Sequence, residues 1–123
     1  MKVLIVEDEA SIRRVVTRVL RMTFSEVSIQ AAESVDEAVG LLTEAMTEGP
    51  MFDFVISDYN LLGTRTGGEL LSWVRTHASY LEHRFLFFSG NPEVEKLHSH
   101  VVAKGESPSV LVAAMKEMLA HVE

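Results

Sequence analysis

Five polar positions, each where a short apolar run ends, carry the chemistry this chain can offer. Glu7 and Asp8 close Val3-Leu4-Ile5-Val6, Asp58 follows Phe54-Val55-Ile56-Ser57, Ser89 follows Phe85-Leu86-Phe87-Phe88, and Lys104 follows Val101-Val102-Ala103. Taken singly each has a plain explanation. An Asp after a strand is usually a turn former or helix cap, Ser89-Gly90-Asn91-Pro92 is a turn, and Lys104-Gly105 is a solvated loop. Taken together they fall in register, and the plain explanation weakens. Three clustered carboxylates repel and would retain protons at neutral pH unless a cation joins them. An all-oxygen set suits Mg²⁺, which takes one or two carboxylates together with a phosphate oxygen. Lys104 adds a point positive charge and Ser89 a hydroxyl donor. The set therefore describes phosphoryl transfer to a carboxylate, with Asp58 as the nucleophile and Mg²⁺ and lysine offsetting charge in a loose transition state.

Such convergence needs elements that bring the run ends to one edge. Val3 to Val6 is continuous and β-branched, like a strand buried on both faces. Ile12, Val15, Val16, Val19 and Leu20 recur at one-face helical spacing. Val27 to Ala31 alternates in part, as a more exposed strand does. Ser34 to Glu37 forms a capping box ahead of a second helix, which Gly49-Pro50 ends. The runs at 54–56 and 85–88 predict buried strands, with a loop and a third helix around Leu70 to Val74 between them. A short helical piece is expected near Val94 to His98 and a last short strand at Val101 to Ala103. Ser107-Pro108 reads as an N-cap with proline at the first helical position, followed by a helix through Val122. Five β-α units imply a parallel sheet with helices on both faces, whose strand ends share one ligand-binding edge.

Composition narrows the class. The 123 residues suit one domain with one core, 47% of them hydrophobic and 24% charged. The net charge of −7 argues against nucleic acid as the main partner. There is no cysteine, so disulfides and thiolate metal sites are excluded. No apolar stretch approaches a membrane span or a signal-peptide core, so a soluble cytoplasmic protein is expected. Neither a GxGxxG nor a GxxxxGK[ST] motif is present.

With these residues in view, the sequence resembles the receiver domains of bacterial response regulators, in the manner of the chemotaxis regulator. The matching residues are Val6-Glu7-Asp8-Glu9, Asp58 with Asn60 two residues on, Ser89 in Phe-Phe-Ser-Gly, and Lys104, and the likeness spans the whole chain. The resemblance implies a single receiver domain over 1–123. Its fold would be α/β and flavodoxin-like, a doubly wound (βα)5 parallel sheet with strand order 2-1-3-4-5. It implies Asp58 as phosphoacceptor, Asp8 and Asp58 as direct Mg²⁺ ligands, and Glu7 holding a metal-bound water. Asn60 would add its backbone carbonyl, Lys104 would contact the phosphoryl group, and Ser89 would move toward it. The phosphodonor would be a phosphohistidine on a histidine kinase or histidine phosphotransfer protein. The output would pass to a downstream protein target, with a homodimer possible and no membrane or direct nucleic-acid contact.

Three departures qualify the likeness. Gly105 stands where the family places a proline after a cis peptide bond, and Val101 where it places a switching Tyr or Phe. The segment from Ser89 to Lys104 is short, so a shortened α4 region and an altered α4-β5-α5 output surface are expected. These departures motivate an alternative, a phosphorylation-independent pseudo-receiver that acts as an interaction module. A phosphatase on a similar fold would need an Asp two residues after the nucleophile, where this chain has Asn60. Arg14, Arg18 and Arg21 share one helix face, read first as solvated and second as a partner surface.

Overall fold

The computed structural model describes residues 1–61, 63–90 and 100–120. The strands are β1 (Lys2–Val6), β2 (Ser28–Ala32), β3 (Phe54–Ser57), β4 (Phe85–Ser89) and β5 (Val101–Ala103). Between them run α1 (Ala10–Thr23), α2 (Val35–Glu48) and α3 (Gly67–His77). A 3-10 helix (Ser79–Arg84) precedes β4, and a C-terminal helix (Pro108–Ala120) closes the described chain. The strands form one parallel sheet in the order β2-β1-β3-β4-β5, as the resemblance implied. The expected shortened α4 region falls mainly on residues 91–99, outside the described residues.

Period-two alternation explains the two layers of core. Leu4 and Val6 of β1, Val55 of β3, and Phe85 and Phe87 of β4 join Val35, Leu42, Leu70 and Val74 from α2 and α3. Val3 and Ile5, Phe54 and Ile56, Leu86 and Phe88, and Val102 join Val16, Leu20, Leu111 and Met115 from α1 and the C-terminal helix. The central strands are buried from Val3 to Val6, Phe54 to Ser57 and Phe85 to Ser89, which is why they read as continuous apolar runs. The edge strand β2 is largely exposed, in keeping with its polar sequence.

Local signals fix the helix starts. The Ser34 Oγ accepts from the Glu37 N–H at 3.2 Å as the capping box predicts, while the Glu37 Oε2 accepts from the Glu33 N–H at 3.3 Å, one residue before the box's usual partner. Replacing Ser34 by Ala is expected to cost about 1 kcal/mol in urea unfolding; an unchanged midpoint would mean that the cap contributes nothing. Ser107 accepts from the Ser109 N–H ahead of the C-terminal helix. Thr66 caps α3 by accepting from the Glu69 N–H at 3.3 Å, and the 3-10 helix buries Leu81; neither was evident from periodicity. One position departs from its sequence pattern. Val15, spaced as part of the buried face of α1, is 45% exposed, while Val16 and Leu20 are buried and Ile12 packs partly buried against the same core.

Candidate functional site

The register of the sheet builds the site. Val6 pairs with Ser57, so the next residues, Glu7 and Asp58, leave adjacent strands side by side. Alternation carried one step past each strand sets Glu7 in line with Val3 and Ile5, Asp58 with Phe54 and Ile56, and Lys104 with Val102. All three thus continue the side of the sheet that faces α1 and the C-terminal helix. The chain leaves β1 toward β2 on one side, while β3, β4 and β5 step away on the other. The acids therefore sit at the point where strand order reverses, the usual ligand crevice of an open α/β sheet.

Lys104 joins the two buried acids. Its Nζ donates to the Glu7 Oε2 and to the Asp58 Oδ2, each at 2.9 Å. Glu7 and Asp58 are only 3% and 7% exposed. The remaining carboxylate oxygens are held by the main chain. The Glu9 N–H donates to the Glu7 Oε1 at 3.2 Å, and the Tyr59 N–H donates to the Asp58 Oδ1 at 2.7 Å. Asp8, half-buried, completes an acidic triad in which Glu7, Asp8 and Asp58 each offer an oxygen within 4.8 Å of the others. Three carboxylates facing one ammonium leave a surplus of two negative charges. That oxygen-only donor set and surplus fit a hard divalent cation such as Mg²⁺.

Electrostatics follow from burial and pairing. Burial raises the Glu7 carboxyl above its usual range, and the neighbouring charge of Asp58 adds to this, against the opposing bond from Lys104. For Lys104, burial disfavours the ammonium, but its bonds to Asp58 and Glu7 together outweigh that and raise its pKa.

Supporting contacts hold the loops around the pocket. The Arg13 Nη1 donates to the Glu7 carbonyl at 2.8 Å, and the other end of its guanidinium pairs with Glu33 at 3.3 Å. The Tyr59 carbonyl accepts from the Gly67 N–H at 2.7 Å, tying the loop after Asp58 to the first turn of α3. The Tyr59 ring packs on Gly68 and lies 5.7 Å from the ring of Phe87. Spacing gave no sign of these contacts.

Of the residues singled out by sequence, Glu7, Asp8, Asp58 and Lys104 come together. Ser89 is buried at the end of β4, where its carbonyl accepts from the Lys104 N–H at 3.0 Å. Asn60 is exposed, two residues beyond Asp58. Val101 packs partly buried against the α2–α3 side of the core. Among the described residues the cis peptide is Gly49–Pro50, so the Lys104–Gly105 bond is trans.

The comparisons agree with this architecture. No curated protein matches the sequence. A putative response regulator from Chloroflexus aurantiacus superimposes with a TM-score of 0.77 at 26% identity, covering 98% of both chains. The chemotaxis response regulator CheY4 of Vibrio cholerae gives 0.74 at 26% identity, covering 95% of this chain and 97% of that one. A signal receiver domain of an HD domain-containing protein from Pseudomonas fluorescens gives 0.81 at 18% identity, covering 98% and 87%. The family described as the response regulator receiver domain matches residues 3–116. Nearly the whole chain is spanned by that match, and the protein belongs to the response regulator receiver family.

Proposed function

We propose that this chain, acting as one receiver unit over residues 1–123, accepts a phosphoryl group on Asp58 and signals its state by protein–protein contact. The observation that carries this reading is the Lys104 ammonium held 2.9 Å from both Glu7 and Asp58, with Asp8 completing the triad at the sheet's switch point. The donor is a phosphohistidine on a histidine kinase or histidine phosphotransfer protein. An Asp58 carboxylate oxygen bonds to phosphorus as the P–N bond breaks, and the electron pair returns to the imidazole, which takes a proton from solvent. Asp8, Asp58 and the Asn60 carbonyl would hold Mg²⁺, with Glu7 anchoring one of its waters. When bound, the ion offsets the charge of the phosphoryl oxygens. Lys104 exchanges its bond to the Asp58 carboxylate for one to the phosphoryl group, and the Ser89 hydroxyl donates to a phosphoryl oxygen. The chain would thus assist its own phosphorylation and dephosphorylation rather than turn over an external substrate.

With Val101 in place of an aromatic and Gly105 in place of proline, the output surface around β5 is atypical, and the downstream target reads it in the cytoplasm. Among the described residues no helix is long and apolar enough to cross a membrane. Incubation with Mg²⁺ and acetyl phosphate is expected to add one phosphoryl group by intact-mass measurement, and Asp58→Asn to abolish it. Failure of the natural chain to gain that mass from acetyl phosphate or from a phosphorylated histidine phosphotransfer protein would favour the pseudo-receiver.

A further inference from the structure

The peptide unit between Glu7 and Asp8 joins two of the three acids of the site, so its orientation helps set where both carboxylates point. The Glu7 N–H still follows the sheet and donates to the Ala32 carbonyl at 2.9 Å. In a regular parallel ladder the Glu7 carbonyl would next accept from the N–H of residue 34. There the chain leaves β2 for α2, with Ser34 as the N-cap. The donor that the Glu7 carbonyl has is a side chain, the Arg13 Nη1 at 2.8 Å. The Arg13 Nη2 lies 3.3 Å from the Glu33 Oε1, and the Glu33 N–H donates to the Glu37 Oε2 at 3.3 Å. One planar fork therefore spans the loop after β1 and the loop before α2.

As a surface ion pair alone, Arg13 and Glu33 would contribute little. Two observations set the pair apart. The Arg13 side chain keeps only 21% exposure, and its other bond goes to the carbonyl that links two acids of the site. The charge is balanced as well. A bare guanidinium beside the triad would repel a divalent cation, whereas Glu33 offsets it and lets the fork hold the peptide without opposing the ion. A lysine ammonium is a single point of charge and cannot serve both partners in the same geometry. Groups that orient metal ligands from outside the ligand shell commonly govern metal affinity.

We infer that Arg13 is a positioning residue for the divalent-cation site. By bridging the Glu7 carbonyl and Glu33 it holds the Glu7–Asp8 peptide in the orientation that Mg²⁺ binding requires. The inference rests on the Mg²⁺ reading of the acidic triad proposed above.

The test uses the full chain and measures Mg²⁺ binding by titration calorimetry, beside the Mg²⁺ dependence of phosphorylation by acetyl phosphate. Arg13→Met is expected to weaken Mg²⁺ binding at least about tenfold. The Mg²⁺ concentration giving half the maximal phosphorylation rate should rise by the same factor, with the rate at saturating Mg²⁺ unchanged. The sign is diagnostic, because removing a positive charge near the triad would by electrostatics alone tighten cation binding. Arg13→Lys, which keeps the charge but not the fork, should fall between Arg13→Met and the natural chain. It also decides the matter if Arg13→Met does not fold. Urea unfolding in EDTA confirms that the proteins compared are folded. Equal or tighter Mg²⁺ binding by Arg13→Met, or an Arg13→Lys protein that binds Mg²⁺ as the natural chain does, overturns the inference and leaves the Mg²⁺ reading standing. A lower rate at saturating Mg²⁺ with an unchanged dissociation constant shows a merely structural role and likewise overturns it. A natural chain that takes up no Mg²⁺ overturns the metal reading itself, and the inference with it.

Discussion

Replacing Lys104 by Met is expected to destabilise the metal-free protein by about 3 kcal/mol at neutral pH, the lower end of the range for breaking a buried ion pair. Two carboxylates, 4% and 9% exposed at their side chains, lose the ammonium that bridges them, while Lys104 itself keeps 20% exposure and some access to water. The dependence on pH has a definite sign. Lys104 has a folded pKa above 10.5, so its contribution is fully present below 10.5 and is lost as pH rises through the folded value. Glu7 is shifted upward from 4.5, so its ionised form is disfavoured by folding, and it weakens stability as pH rises from 4.5 through its folded value. Without Lys104 the upward push on Glu7 increases. The deficit of the variant should therefore be largest near neutrality, shrink as pH falls toward 4.5 and Glu7 protonates, and diminish again at strongly alkaline pH. Millimolar Mg²⁺ should recover more stability in the variant than in the natural chain, because the cation replaces the missing charge. Urea unfolding across pH, with and without Mg²⁺, measures all of this. Equal stability of the two proteins at every pH would show that the bridge contributes nothing.

Replacing Gly67 by Ala should cost about 3 kcal/mol, the upper part of the range for overpacking. A β-carbon at this position would collide with the carbonyl oxygen of Asp58 and lie 3.0 Å from the Tyr59 Cα and from a Phe87 ring carbon. Two of those three neighbours are main chain, so the relief is a shift of the loop or of α3 rather than a side-chain rotation. The Gly67 N–H also holds the Tyr59 carbonyl, so the displacement reaches the N–H that fixes the Asp58 Oδ1. Phosphorylation by acetyl phosphate should slow by up to about 10²-fold, as misplacing a reacting group by about 1 Å does. Gly68→Ala is the control. Its β-carbon would meet only the Tyr59 ring, 3.0–3.3 Å away, and a ring can give way. A Gly67→Ala protein as stable and as fast as the Gly68→Ala protein would refute the close-approach argument.

These two positions mark where sequence reading succeeds and where it stops. Glu7, Asp58 and Lys104 were legible because parallel strands deliver their ends to one edge, and each acid or lysine interrupts an otherwise apolar run. The capping box at Ser34 was legible because its partners are three residues apart. Gly67 was not. It falls in the loop expected ahead of the third helix, and nothing near it in sequence marks it, since what crowds it is a carbonyl nine residues away and a ring twenty residues away. Arg13 carried no signal in the sequence, yet it joins the Glu7 carbonyl to Glu33 across the edge of the sheet. Val15 fitted the apolar spacing of α1 but stays exposed, because spacing fixes a helical face and not how wide a stripe the core will cover.

The bridge from Lys104 also bears on how the protein is made. The acids emerge from the ribosome long before the residue that balances them, and β5, only three residues long, is the last of the five described strands to be synthesised. Until it docks, Glu7 and Asp58 have no internal counter-charge, and β4 still presents an open edge. A prematurely terminated chain ending before Val101 would retain four strands and all three acids without a finished pocket. On the function proposed above, competence therefore arrives only once β5 and Lys104 have been made and have docked.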